Sequence, residues 1–538
     1  MNKLYFSILL FSSISFAQIS QVQDIFPGNS TATPPVINAS NPTNLFDFNG
    51  TLLFRAGDAN GQELWKSDGT AAGTVLVRDI NTGTTAASNS NPTNFTFFNN
   101  QVFFTATNGT NVNGSELWKT DGTTTGTALV KDIRTGTAGA NPQNFTIINP
   151  TTMLFSANDG TIGTELWKTD GTETGTVNVV DYPLTANSIT WIENLNGLGI
   201  LGQIVSTTGR ELYKSDGTAA NSSIILDINP GTTLGVGSSY IKNGNTIYFQ
   251  GNSGTTGLEL WKTDGTTAGT VLVKDINVGT EASGPVRFAN LGTTTYFRAT
   301  GANGQELWKT DGTEAGTVEV ADINVGAGDS NPDEIAVANG AVYFFASDND
   351  LNYDLYHYNG TVLTKLNDFN ALSNTVSSAF VAIDNLVYFA ADSNADTFRE
   401  LWQTNGTVSG TVAVSSLVAG SINPTNVGQL TKIGTNLFFS ATDTDGQELF
   451  QYIPQSLSIQ NPDKLTSIVV YPNPSLTVFQ ISNPSNLTLQ FELYDLLGKK
   501  IDSGTLINNA LTTDLQSGVY LLKLYNENQT ITKKIIKQ

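Results

Sequence analysis

Short runs in which apolar and polar residues alternate, punctuated by Gly, Asn, Asp and Pro, fill residues 40–450. A period of two places alternate side chains on opposite faces, which is the pattern of half-buried strands. Residues 40–80 show the unit. Asn41-Pro42-Thr43-Asn44 reads as a turn, and Leu45 to Phe48 as a first strand. Asn49-Gly50 is a hairpin turn leading to a second strand, Leu52 to Ala56. Asp58 to Gly61 turns again into a third strand, Glu63 to Ser67. Asp68-Gly69 then opens the turn to a fourth, Val75 to Ile80. The Asn-Pro pair recurs at Asn91, Asn141, Asn331 and Asn423, where Pro is expected to hold the preceding Asn extended and to start the first strand.

The unit repeats. Glu63-Leu64-Trp65-Lys66-Ser67-Asp68-Gly69-Thr70 returns at Glu116, Glu165, Glu211, Glu259 and Glu306, and in weakened form at Asp354, Glu400 and Glu448, with spacings of 46 to 53 residues. Four antiparallel strands at such a period predict an all-β fold, a single large β-propeller of four-stranded blades. Nine units are counted; absorbing a degenerate one would leave eight. The last unit has three strands, ending near Tyr452. Asp24-Ile25-Phe26-Pro27-Gly28 matches Asp227-Ile228-Asn229-Pro230-Gly231, which ends an ordinary fourth strand. Gln21 to Ile25 is therefore expected to complete the last blade and close the ring, removing the edge strands an open array would expose.

Residues 1–17 read as a signal peptide: Lys3 before a mostly apolar stretch, then Ser15-Phe16-Ala17 as a small-x-small cleavage site. The ring is expected over 18–453, a polar linker over 454–466, and a separate β-sandwich over 467–538 built on Val478–Ile481, Leu489–Tyr494, Val519–Tyr525 and Ile531–Ile536. Net charge is −21. The tail holds six Lys and five acids, leaving 20 of the 26 basic and 42 of the 47 acidic residues before it, so the acidity belongs to the ring. Such a surface disfavours nucleic acid as a partner. No apolar run reaches the length of a membrane-spanning helix, and without Cys there is neither a disulfide nor a lipoprotein attachment site.

The tail resembles the C-terminal sorting domain of proteins exported by the type IX secretion system of Gram-negative bacteria. The residues that carry the resemblance are Tyr471-Pro472-Asn473-Pro474, Tyr494-Asp495 with Gly498-Lys499, Gly518-Val519-Tyr520, and Lys533-Lys534-Ile535-Ile536-Lys537. It implies passage to the periplasm, then across the outer membrane by the type IX machinery, and a secreted or surface-displayed product. The repeats are similar to secreted proteins named for a Glu-Leu-Trp-x-x-Asp-Gly-Thr signature. Units seven and eight depart from it at Asn359-Gly360-Thr361 and Asn405-Gly406-Thr407. That similarity implies a propeller-like fold without an activity.

Candidate chemistry is sparse. Six of the seven Trp share one phase, with Tyr213, Tyr356 and Phe450 filling it elsewhere. Packing between blades explains nine such copies better than a ligand platform does. Asp-Gly-Thr reads as turn chemistry. His357, the only His, replaces the Lys of Trp65-Lys66 and reads as a strand substitution. Without it no Ser-His or Cys-His catalytic arrangement can form. Asp348, Asp350, Asn352 and Asp354 form D-x-D-x-N-x-D, a spacing that suits Ca²⁺, although Tyr353 and Asn359 stand where a calcium loop wants Gly and Glu. A polar hairpin loop is the alternative. Shorter versions lie at Asp392–Asp396 and Asp443–Gly446. These features favour a binding or adhesion scaffold for a glycan or protein over an enzyme. The alternative is an extracellular polysaccharide hydrolase or lyase whose acids come from different blades.

Overall fold

Alternation along each run places one set of side chains toward the preceding blade and the other toward the next, so every sheet is buried on both faces. In the computed structural model the described residues are 18–538 except 30–35, 83–87, 110–113, 181–187, 206, 349–351, 372–376, 393–397, 417–423, 455–467, 483–488, 497, 507–508, 513 and 526–529. The expected signal segment, residues 1–17, and nearly all of the expected linker lie outside them. The described chain divides into two compact units, one ending at Pro454 and one running to Gln538.

The first unit forms nine four-stranded antiparallel sheets among the described residues. Blade 1 comprises Thr43–Phe48, Thr51–Asp58, Gly61–Ser67 and Val75–Arg78. First strands of later blades begin at Thr93, Gln143, Ser188, Val236, Val286, Asp333, Ser377 and Thr425. They neighbour one another in order, and the ninth meets the first, so they form the innermost layer of a closed ring. Blade 9 takes its fourth strand from Gln18–Gln23, which pairs antiparallel with Gly446–Ile453 from Gln18↔Ile453 to Gln23↔Leu449. Ring closure and the count of nine are as the sequence implies.

Nine apolar clusters fill the nine interfaces, each drawing on two blades. Leu53, Leu64, Val77 and Ile80 of blade 1 meet Val102, Phe104, Ala106 and Trp118 of blade 2. At the closure, Leu52, Phe54 and Trp65 of blade 1 meet Ile433, Phe438 and Leu449 of blade 9, with Val22 and Ile25 from the N-terminal segment. The six repeated indoles are between 5% and 9% exposed, which removes them as a ligand platform.

One expectation fails. The Asn before each Pro is left-handed, not extended: φ is +47° at Asn41 and Asn91, +50° at Asn141 and +49° at Asn331. Asn tolerates this region because its amide bonds locally. The Nδ2 groups of Asn41 and Asn141 donate to Ala39 O at 3.1 Å and Gly139 O at 3.2 Å. Strands still begin immediately after the Pro. Asn423 lies outside the described residues.

The second unit holds a three-stranded sheet, in the spatial order Val469–Tyr471, Phe479–Ser482, Ala510–Leu511, and a four-stranded one in the order Lys500–Thr505, Gln490–Asp495, Gly518–Tyr525, Thr530–Lys537. Ile468, Phe479, Ile481, Leu493, Leu522, Leu524 and Ile535 form its core.

Candidate functional site

The repeated acid is fully buried at the start of the third strand in every blade except blade 8, whose Glu400 is half-buried, and in most blades backbone amides hold it. Glu63 accepts Ile80 N at 2.8 Å, just past its own fourth strand, and Ser90 N at 3.0 Å, on the approach to blade 2. Glu259 repeats this with Ile276 N, Ser283 N and Ser283 Oγ at 2.8, 2.7 and 2.6 Å. Glu306 does the same with Ile323, Ser330 N and Ser330 Oγ. Glu448 clasps the two chain-end segments, accepting Ile25 N at 3.2 Å, Ser40 N at 2.8 Å and Ser40 Oγ at 2.5 Å. Burial pushes Glu63, Glu116, Glu211 and Glu448 up to about 7, against the opposing pull of these donors. In blades 1, 2, 5 and 6 these carboxylates fasten the blade to the crossover into the next, and Glu448 does so across the closure.

Asp-Gly-Thr is turn chemistry. Asp68 Oδ1 accepts Thr70 N at 2.9 Å and Thr70 Oγ1 at 2.7 Å, and the Thr hydroxyl bond holds the carboxyl below its ordinary value. Gly69 takes φ +90°, a conformation that favours Gly. A Cβ on Gly73 would sit 2.0 Å from Asp68 Oδ1. The Lys after Trp reaches the next blade in blades 1, 2 and 5: Lys66 Nζ donates to Gly122 O and Lys119 Nζ to Gly171 O, both at 2.9 Å, and Lys262 Nζ to Gly312 O at 2.8 Å. Gln451 Nε2 makes the same tie across the closure, to Gly69 O at 2.9 Å.

His357 occupies this Lys position and faces Gly406 of the next blade. Its ring lies 5.0 Å from that of Tyr343, and burial lowers its pKa. It is a strand residue in a blade interface.

Of the acidic cluster, Asp350 lies outside the described residues. The carboxylates of Asp348 and Asp354 both meet Lys365 Nζ, at 3.0 and 2.5 Å, and Tyr356 Oη donates to Asp348 at 3.1 Å. Asp354 Oδ1 also accepts Phe369 N at 3.1 Å, the blade 7 version of the glutamate clasp. An ammonium thus stands between two of the four residues proposed as calcium ligands. Among the described residues no three His, Cys, Asp or Glu side chains converge as a metal site.

The sorting residues assemble from both ends of the tail. Asn473 Nδ2 donates to Lys534 O and its Oδ1 accepts Ile536 N, both at 2.8 Å, so the Tyr471–Pro474 turn is clamped to the Lys533–Lys537 strand. Gly498 at φ +82° closes a turn in which Asp495 Oδ1 accepts Lys499 N at 2.9 Å. Tyr520 pairs in register with Ile535, its hydroxyl donates to Gln516 O at 3.0 Å, and Gly518 pairs with Lys537.

A feature the repeat reading missed lies on the innermost layer. A cavity of about 420 Å³ opens between the first strands of blades 5 and 6, lined by Ser238, Ser239, Tyr240, Arg287, Phe288 and Arg298. The second residue of the first strand is left-handed Asn in blades 1, 2, 3 and 9, at Asn44, Asn94, Asn144 and Asn426. Blades 6 and 7 place Arg287 and Glu334 there, at φ +57° and +51°. Asn44 and Asn94 tie to Pro carbonyls of the next blade, each at 3.3 Å. In blade 6 Arg298 Nη1 makes that tie, to Pro332 O at 3.4 Å, while its buried Nε has no partner. Burial pulls its pKa below the ordinary value. Arg287 pairs with Asp333 at 2.5 Å. The sequence signal was the loss of Asn from the Asn-Pro-x-Asn repeat, which reads Gly284-Pro285-Val286-Arg287 in blade 6.

Residues 469–538 match the secretion system C-terminal sorting domain family. This segment is a type IX secretion sorting domain and marks the chain as secreted or displayed on the cell surface. No curated protein matches the chain. Among solved structures it is similar to a prolyl endopeptidase, at 10% identity and a TM-score of 0.39, covering 68% of this chain and 54% of that one. The chain thus spans about half the length of that enzyme. It is also similar to the β-propeller domain of the Trilobed protease from Pyrococcus furiosus, at 13% identity and a TM-score of 0.33, covering 58% and 92%. A third likeness is to PorZ, a surface component of the type IX secretion system of Porphyromonas gingivalis, at 10% identity and a TM-score of 0.22, covering 90% and 91%. No helix among the described residues is long and apolar enough to cross a membrane.

Proposed function

We propose that the ring is a binding or adhesion scaffold for a glycan or a protein, delivered by the type IX machinery through its sorting domain. In this reading residues 1–17 serve for the first export step, and the repeats belong with the secreted Glu-Leu-Trp-x-x-Asp-Gly-Thr proteins. The supporting observation is the commitment of the repeated acids. Glu63, Glu116, Glu259, Glu306 and Glu448 are engaged with backbone amides, and the lone His packs against Tyr343 in an interface. Groups spent on holding blades together are not positioned to move protons for a substrate. Loops and innermost strands on a rigid ring suit recognition.

The test is a glycan array followed by a polysaccharide turnover panel, both on the full chain. Saturable binding without product formation is expected. Release of reducing ends or unsaturated sugars, abolished by substituting a single non-repeated acid such as Glu334, would replace this reading with the hydrolase or lyase.

A further inference from the structure

We propose that the cavity between the innermost strands of blades 5 and 6 is a subsite for a carboxylate-bearing sugar, with Arg298 and Arg287 receiving the carboxylate. This deepens the scaffold reading and rests on it.

Four observations carry the proposal. First, the site departs from the repeat: Arg298 shares its register with Arg55 of blade 1, but among the described residues only blade 6 adds a second Arg, Arg287, on the neighbouring first strand. Where the repeat places a small amide, blade 6 places a guanidinium held at positive φ, a conformation costly for any residue other than Gly, Asn or Asp. Such outliers cluster at functional sites. Second, cations are scarce here. The protein carries 26 Lys and Arg against 47 Asp and Glu, yet two Arg side chains line one cavity. A guanidinium presents a planar fork of donors that matches a carboxylate in a way an ammonium does not. Arg298 has one buried donor without a partner, and its one hydrogen bond among the described residues is a long one to a carbonyl. Arg287 is already paired with Asp333, so Arg298 is the principal anchor and Arg287 the rim charge.

Third, the remaining lining fits a sugar. Ser238 and Ser239 offer hydroxyls, and Tyr240 and Phe288 offer aromatic rings. Tyr240 is held by stacking on Trp191, with centroids 4.4 Å apart and planes at 20°. Trp191 is in turn fixed by donating to Gly237 O at 3.2 Å. Phe288 rests against Phe297 at 5.6 Å. Rigid aromatic surface beside hydroxyls and a charged fork suits one face of a sugar ring, its hydroxyl edge and its acid group together. Fourth, a volume near 420 Å³ lies at the small end of ligand sites. It suits a sugar unit or two rather than the face of a folded protein.

The experiment is isothermal titration calorimetry of the full chain with a galacturonic acid trimer and with the neutral galactose trimer. The acidic trimer is expected to bind, and the neutral one to bind at least tenfold more weakly. Arg298→Gln should weaken the acidic trimer at least tenfold, and Arg298→Lys should fail to restore it, since the fork is lost. Arg287→Gln, a half-exposed rim change, provides a second variant should Arg298 substitutions impair folding, and it should weaken binding severalfold. Equal affinity for the two trimers, no binding of either, or indifference to both Arg positions overturns the proposal. So does an acidic peptide that displaces the trimer and binds more tightly. A neutral glycan or protein that binds the ring regardless of both Arg variants would remove this subsite and leave the scaffold reading standing. Turnover of a bound polysaccharide would remove the scaffold reading itself.

Discussion

Glu448→Ala tests how the ring is fastened shut. The side chain is fully buried and accepts Ile25 N, Ser40 N and Ser40 Oγ. Both partner residues come from the N-terminal segment, more than 400 positions away. Removing the carboxylate leaves three donors without an acceptor. Each buried orphan costs about 1–3 kcal/mol, and water entering the space can serve some of them, so a loss of roughly 3–6 kcal/mol is expected. With an unfolding entropy of about 2 cal/mol/K per residue, a ring of this size has roughly 0.9 kcal/mol/K, giving a fall in Tm of about 3–7 °C. Glu259→Ala removes an equivalent set of bonds from mid-ring. The two variants should therefore lose similar stability but differ in where the chain opens. Hydrogen exchange should rise across Gln18–Gln23 in Glu448→Ala and remain low there in Glu259→Ala, because only blade 9 depends on a strand supplied from the other end of the chain. A melt within 1 °C of the parent, or unchanged exchange at Gln18–Gln23, would refute the clasp.

Three further outcomes are expected. Deleting residues 18–26 removes the buried Ile19, Val22 and Ile25, each contributing about 1.5–3 kcal/mol, and bares the edge of Gly446–Ile453; calorimetry and size-exclusion chromatography should show a lower melt and self-association, and an unchanged monomeric melt would exclude the closure. Because burial raises Glu63, Glu116, Glu211 and Glu448 to about 7 from an ordinary value of 4.5, the stability they lend is complete below about 4.5 and is lost as pH rises through 7. Unfolding free energy should fall between pH 5 and pH 8, by up to about 3 kcal/mol per group, with Tm falling alongside it, and a flat or rising Tm profile would contradict it. Lys365→Met strips the charge beside the buried Asp354 and should destabilise by about 3–5 kcal/mol, with Asp354→Asn in the same chain recovering most of the loss; a single variant within 1 kcal/mol of the parent in denaturant titration would count against the pairing.

The propeller was legible because burial repeats with the sequence. Trp65 packs toward one neighbouring blade while Leu64 and Lys66 face the other, so the alternation in each unit declares its faces. Closure was legible from a last unit one strand short and from Asp24-Ile25-Phe26-Pro27-Gly28, since Asp-Ile follows the ordinary fourth strands and the Ile amide is what the buried acid needs. What could not be read was the acid's task. Uniform glutamates signal a structural role, but their partners lie 17 to 27 residues downstream and meet only in the folded crossover. The left-handed Asn residues were hidden because the steric rule for a residue before Pro favours extension, and a local amide bond overrode it. In the tail, Val469–Tyr471 and Ala510–Leu511 are too short to show a period, and Lys500–Thr505 is too exposed to show one. The Arg287–Arg298 cavity needs both residues brought together by adjacent strands, so only the broken Asn-Pro-x-Asn pattern hinted at it.

The pairing of Gln18 with Ile453 has a temporal consequence. A chain emerging from the ribosome, or threading through a channel, beginning first, carries its opening strand unmated while more than 400 residues follow. Eight blades can assemble in succession, yet the circle stays incomplete until the very last hairpin arrives. The seam therefore acts as a completeness check: any product cut short before residue 446 keeps an unfilled berth and a sticky first strand, a state that quality control can recognise. The sorting signal lies beyond that point, so a chain that carries it also carries the piece that shuts the circle.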